Sequence, residues 1–125
     1  MLVNDLDNLK TILHSAEKLS EKYLSSLNER ATSIANPKVV WPALPDNGPG
    51  ALATMDIFEN TFLPNIVASS GPRYWGFVTG GSTPAAIMGD WLTSVFDQNT
   101  QNASGAGDCS ALLEFQVVNL LLELF

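Results

Sequence analysis

The sequence predicts an all-α chain of about four helices joined by proline-rich and glycine-rich connections, and three stretches predict it. From Asn4 to about Ile34 there is no Pro or Gly, and Leu6, Leu9, Ile12, Leu13, Ala16, Leu19, Tyr23 and Leu27 recur at spacings of three and four. Thr83 and Pro84 read as an N-cap and first helical position ahead of Ile87, Met88, Trp91, Leu92 and Val95 at helical spacing. Asp108 stands before a closing run in which Leu112, Leu113, Phe115, Val117, Val118, Leu120, Leu121, Leu122, Leu124 and Phe125 cover nearly every side of a helix.

The first stretch predicts one amphipathic helix of roughly 30 residues, about 45 Å long at about 1.5 Å per residue. Asp5 and Asp7 lie near its start and Lys18, Lys22 and Arg30 later, the order the helix dipole favours, and Lys18 is placed to meet Glu21 at i+3. Between Asn36 and Gly50, Pro37, Pro42, Pro45 and Pro49 remove backbone donors, so the connection is irregular, with Trp41 expected to pin it to the core. A second helix is expected from Pro49, near N1, to Phe62, with Leu52, Met55 and Phe58 on one face. Pro64 interrupts it, leaving a short helical turn towards Ala68. Ser69 to Pro72 break the pattern, and Arg73 to Gly81 form a loop holding Tyr74, Trp75, Phe77 and Val78 among glycines.

The third helix runs from Ala85 to Phe96, and Asp97 to Gly107 form a polar loop. The last helix, capped by Asp108, is expected to run to the final residue. Its all-round apolar surface is that of a helix buried on every side. It carries no C-cap glycine or charged tail, so residue 125 reads as an end inside a larger protein.

Composition excludes several functions. The chain has 125 residues, 46% hydrophobic and 15% charged, which is too apolar for disorder and short enough for one core. Six basic residues against thirteen acidic ones, net −7, leave no cationic stripe for a nucleic-acid backbone. One cysteine, Cys109, and one histidine, His14, exclude a disulfide framework and a Cys/His metal site. No apolar run is long enough to span a bilayer, and a cytoplasmic setting is expected.

Few residues invite chemistry. Gly80, Gly81, Ser82 and Thr83 before Pro84 form a short glycine loop at a helix start, which reads first as a turn and N-cap, since it lacks the spacing and lysine of a phosphate loop. Tyr74, Trp75 and Phe77 suit either the wall of an apolar pocket, with Thr79 as polar contact, or plain core packing. His14, four residues from both Lys10 and Lys18, falls on the wet side of the first helix, leaving Ser or Cys without an imidazole base. Asp90 and Asp97, seven apart, are too distant to share a proton, and Cys109 takes no role.

The block Gly71-Pro72-Arg73-Tyr74-Trp75-Gly76-Phe77-Val78-Thr79-Gly80-Gly81-Ser82-Thr83-Pro84, continued by Gly89-Asp90-Trp91-Leu92-Thr93-Ser94 and Asp97-Gln98-Asn99, resembles the group II pyridoxal-phosphate-dependent amino-acid decarboxylases. The similarity is specific from Pro72 to Asn99, and the order of elements agrees across nearly the whole chain. The resemblance implies an N-terminal fragment of a carboxy-lyase acting on an aromatic, acidic or diamino acid. The parent fold is implied to be α/β and aspartate-aminotransferase-like. It implies that residues 1–70 form a dimerisation segment, 71–107 a pocket loop, third helix and polar loop, and 108–125 the helix leading into a large cofactor domain.

The resemblance assigns Phe77, Val78 and Thr79 to the substrate side-chain pocket, and Gln98, Asn99, Gln101 and Asn102 to a loop approaching the partner subunit's active site. A homodimer through the N-terminal helices is expected from the first helix's apolar stripe, which three shorter helices cannot fully cover, and is implied by the resemblance as well, with Leu6, Leu9, Leu13, Ala16 and Tyr23 at the contact. Pyridoxal phosphate is the implied cofactor, held by a lysine outside this chain. Lys10, Lys18, Lys22 and Lys38 lie beside no aromatic or glycine-rich pocket, and the fragment alone is expected to be inactive. Two positions depart from the family pattern: Gly71 stands where a histidine often precedes the proline, and Gly107-Asp108 replace a Ser-Pro pair. The alternatives are a pyridoxal enzyme of different outcome and a non-catalytic helical interaction module.

Overall fold

The computed structural model describes residues 2–41, 43–99 and 108–125. These residues are helical throughout their regular parts, with no strand among them: α1 (Leu2–Asp7), α2 (Leu9–Ser25), α3 (Ala51–Ile57), α4 (Pro84–Phe96) and α5 (Ser110–Leu122). The all-α class expected from periodicity therefore holds. The chain divides into two compact units, Met1–Gly81 and Ser82–Phe125.

In the first unit, the single long helix expected to reach Ile34 is shorter and broken. Asn8 leaves helical geometry at φ −100° and ψ 10°. Its side-chain amide donates to Asn4 O at 2.7 Å, the same carbonyl that accepts its backbone N–H at 3.1 Å, and such competition weakens a helix locally. At the other end, Ser25 Oγ donates to Lys22 O and Ser26 Oγ to Tyr23 O, satisfying carbonyls that a longer helix would have paired. The chain turns away there, and α2 spans about 25 Å rather than about 45 Å. On α2, His14 Nδ1 lies 3.0 Å from a Glu17 carboxylate oxygen and Lys22 pairs with Glu59 at 2.6 Å, while the expected Lys18–Glu21 pair is not formed among the described residues.

Helix α3 starts at Ala51, after Gly50 at φ +89°, so Pro49 is not its first residue. Gly50 has no side chain with which to cap. Asp5 of α1 supplies the cap, its carboxylate accepting from Ala51 N–H at 3.2 and 3.3 Å. After Ile57 the helix widens into a π turn, Phe58–Phe62, and closes in a 3-10 turn, Leu63–Asn65. Pro64 has no N–H, and its ring would collide with the Asn60 carbonyl of a regular α-helix, which accounts for the change in winding.

The heart of this unit lies where residues 23–31 meet residues 63–73. Leu63 and Ala68 are buried, and Ala68 N–H donates to Ala31 O at 2.9 Å. Arg30 donates to Leu63 O at 2.7 Å and Ile66 O at 3.2 Å, with its guanidinium 4.9 Å from the Tyr23 ring centre. Tyr23 Oη donates to Val67 O at 2.9 Å. The proline-rich connection is tied down by Asn65, which accepts from Lys38 N–H at 3.1 Å and donates back to Lys38 O at 3.3 Å. Trp41 rests its ring 5.7 Å from that of Phe62 but stays mostly exposed, so it does not anchor the connection in a core as expected.

In the second unit, α4 begins as its sequence predicts. Thr83 Oγ1 accepts from Ala86 N–H at 3.2 Å and Pro84 takes the first position. It ends at Asp97, in left-handed backbone at φ 44°. Before α5, the Asp108 carboxylate accepts from Ser110 N–H at 2.6 Å and also from the Ser110 hydroxyl. Helix α5 stops at Leu122, short of the final residue, and of its apolar side chains only Ala111 is buried. Among the described residues, the burial expected for this helix is therefore not found.

Candidate functional site

The loop from Gly71 to Gly81 carries the residues assigned to a substrate pocket. It leaves the first unit's core at a tight point: a Cβ on Gly71 would lie 3.2 Å from Ala68 O and 3.4 Å from Leu27 Cβ, so the small residue lets the two segments meet. Arg73 fastens the loop by donating to Arg30 O at 2.6 Å. Tyr74 folds its ring over Gly76, where an added Cβ would come within 3.1 Å of the hydroxyl.

Gly76 to Thr79 make a turn closed by Thr79 N–H donating to Gly76 O at 3.4 Å. Its central residues, Phe77 and Val78, both have positive φ, 53° and 58°. That is the pattern of a type I′ turn, which normally takes Asn or Gly. A β-branched residue in left-handed backbone is a true outlier, and such strain collects at ligand clamps and active sites.

The turn drives its side chains outward. Phe77 is 93% exposed, Val78 105% and neighbouring Trp75 95%, while Tyr74 is half-buried. Of the two readings of Tyr74, Trp75 and Phe77, core packing does not describe Trp75 and Phe77 among the described residues, while Tyr74 is partly covered. Thr79 is exposed too, with its hydroxyl donating to Gly76 O at 3.1 Å.

The structure brings Phe77, Val78 and Thr79 together on one turn. Gln98 and Asn99 are exposed in the second unit, and the Gln98 side-chain amide donates to Phe96 O at 2.6 Å. Gln101 and Asn102 lie outside the described residues. Thr83, in the glycine loop, spends its hydroxyl on the Ala86 cap, in keeping with the turn-and-cap reading. His14 is on the wet side as expected. The Asp108 carboxyl is held below the usual carboxylate value, first by the hydrogen bond from the Ser110 hydroxyl and then by the Ser110 backbone N–H.

A cavity of about 370 Å³ that sequence reasoning missed opens in the first unit, lined by Leu19, Ser20, Tyr23, Phe58, Leu63, Ile66, Ser69 and Ser70. Its only signal in the sequence is the i, i+4 spacing of Leu19 and Tyr23 on the apolar stripe. Phe77, Val78 and Thr79 do not line it. Beside it, Ser70 Oγ is buried and without a hydrogen-bond partner among the described residues.

Lys10, Lys18, Lys22 and Lys38 are exposed, and Lys22 is paired with Glu59. Among the described residues none of them fits the cofactor that the resemblance implies. No family model, curated protein or solved structure matches the chain.

Proposed function

We propose that this chain is the N-terminal part of a pyridoxal-phosphate-dependent lyase that decarboxylates an amino acid, acting in the cytoplasm as a homodimer. The parent fold in this reading is α/β and aspartate-aminotransferase-like. The chain contributes dimer contacts and one wall of the substrate pocket, and not the Schiff-base lysine. In such enzymes the cofactor is the electron sink and the protein supplies orientation and electrostatics.

One observation carries the reading: Phe77 and Val78 are held outward on strained left-handed backbone, with Thr79 beside them. A turn that costs conformational energy while presenting an aromatic ring, an aliphatic side chain and a hydroxyl suits the lining of a pocket completed by other parts of an assembly. The exposed polar residues Gln98 and Asn99 suit a loop that reaches towards a partner's site.

The test is made in the parent enzyme. Phe77→Ala and Thr79→Ala are expected to change substrate ranking by tenfold or more, the effect of losing about 1.5–3 kcal/mol of substrate contact. Cofactor affinity should stay near its starting value. Collapse of cofactor affinity with unchanged ranking would overturn the assignment.

The second reading, a non-catalytic helical interaction module, draws support from the exposed apolar surface of α5. The reading frame following Phe125 discriminates: an immediate stop removes the enzyme reading, and a long frame containing a cofactor lysine removes the module.

A further inference from the structure

We infer that Asn47 is a site of spontaneous deamidation, a chemical modification written into the loop ahead of α3. The inference is independent of the proposed enzyme. Among the ten asparagines of the chain, Asn47 alone is followed by glycine. Gly48 has no Cβ to hinder its own nitrogen or to restrict the backbone on either side.

The surroundings leave both reacting groups available. Asp46 and Asn47 form an exposed bend between Pro45 and Pro49, and Gly48 is exposed as well. Among the described residues, neither the Asn47 carboxamide nor the Gly48 N–H makes a hydrogen bond. Other asparagines are protected in identifiable ways. Asn65 holds its carboxamide against Lys38 and Thr61. Asn36 precedes Pro37, which has no N–H to react. Asn4 and Asn119 lie inside helices, and Glu29, after Asn28, donates its N–H to Ser26 O.

The chemistry needs only water. Gly48 N gives up its proton and attacks Asn47 Cγ; the new N–Cγ bond closes a five-membered succinimide as the Cγ–Nδ2 bond breaks and the side-chain nitrogen leaves, protonated, as ammonia. Water then adds to either ring carbonyl. One opening yields aspartate at position 47 and the other yields isoaspartate, with the main chain rerouted through the side-chain carbon. Either product makes the chain one unit more negative than its starting −7. The isoaspartyl product also lengthens the path between two prolines that lead into α3.

The experiment is to hold the intact folded chain in neutral to mildly alkaline buffers and follow it by peptide mapping with mass spectrometry, with isoaspartate detected by enzymatic methyl transfer. The expected result is an acidic species whose changed peptide contains Asn47, in both aspartyl and isoaspartyl forms. Its formation should rise about tenfold per pH unit, as the deprotonated fraction of a weak acid does far below its pKa. Asn47→Gln should abolish that species. Conversion of Asn65 as fast as Asn47, a rate independent of pH, or an unchanged Asn47 in the folded chain while the denatured chain converts would each overturn the proposal.

Discussion

Val78 concentrates the residue-scale physics. Left-handed backbone costs an L-residue roughly 1–2 kcal/mol, and more for a branched side chain. Because Val78 is wholly exposed, its side chain recovers nothing by packing within this chain. Val78→Gly is therefore expected to raise the unfolding free energy by about 1 kcal/mol, read as a shift in urea midpoint at unchanged slope. An unchanged or lower midpoint would show that the valine is anchored by contacts in solution. The loop was legible as aromatic and glycine-rich, but its handedness was not, because Phe and Val disfavour it. Asp108 ties the start of α5 to pH. Its carboxyl is depressed by Ser110, so its contribution is present above the ordinary aspartate value, about 3.9, and is lost as pH falls through the lower folded value. Helix signal from α5 should fall in that acid window in the native chain, and a Ser110→Ala variant should show a weaker dependence on pH there.

Each element's ends depend on partners of different range in sequence. Thr83 and Pro84 lie beside the helix they start, and α4 accordingly begins where its sequence predicts. The cap of α3 comes from Asp5, far away in the chain, so no local reading finds it, and Pro49 was expected as the first residue instead. Thr83→Ala and Asp5→Ala are each expected to lower stability by about 1 kcal/mol. Asp5→Asn, which keeps an acceptor oxygen, should recover most of the Asp5 loss. Circular dichroism during urea titration measures both, and an Asp5→Ala chain as stable as the starting one would mean that α3 is capped by water. The first helix is shorter than its periodicity predicts for a related reason. Its apolar stripe does continue to Leu27, but Asn8, Ser25 and Ser26 turn their side chains on the backbone, a competition that periodicity does not register.

At the scale of the molecule, the chain is 46% hydrophobic, yet among the described residues only Leu63, Ala68 and Ala111 are buried apolar residues. Exposed apolar surface of this extent is the ground on which a dimer is proposed. Leu6, Leu9 and Leu13, proposed for the dimer contact, are exposed along α1 and α2, while Ala16 and Tyr23 are half-buried, with Tyr23 already bonded to Val67. A dimer at micromolar concentration is expected by sedimentation equilibrium, reduced to monomer by Leu9→Asp with Leu13→Asp. A monomer whose mass and solubility ignore those changes would remove the dimer proposal.

The sequence by itself determined the all-α class, the start of α4 and the wet side that holds His14. Each of these follows from composition or from residues within a turn or two of one another. The tertiary structure decided what depends on distant partners: the capping of α3 by Asp5, the meeting of Arg30 and Arg73 with backbone carbonyls, the cavity beside Tyr23, and the outward, left-handed turn at Phe77 and Val78. Periodicity reports which side of a helix is apolar. It does not report which segment covers that side.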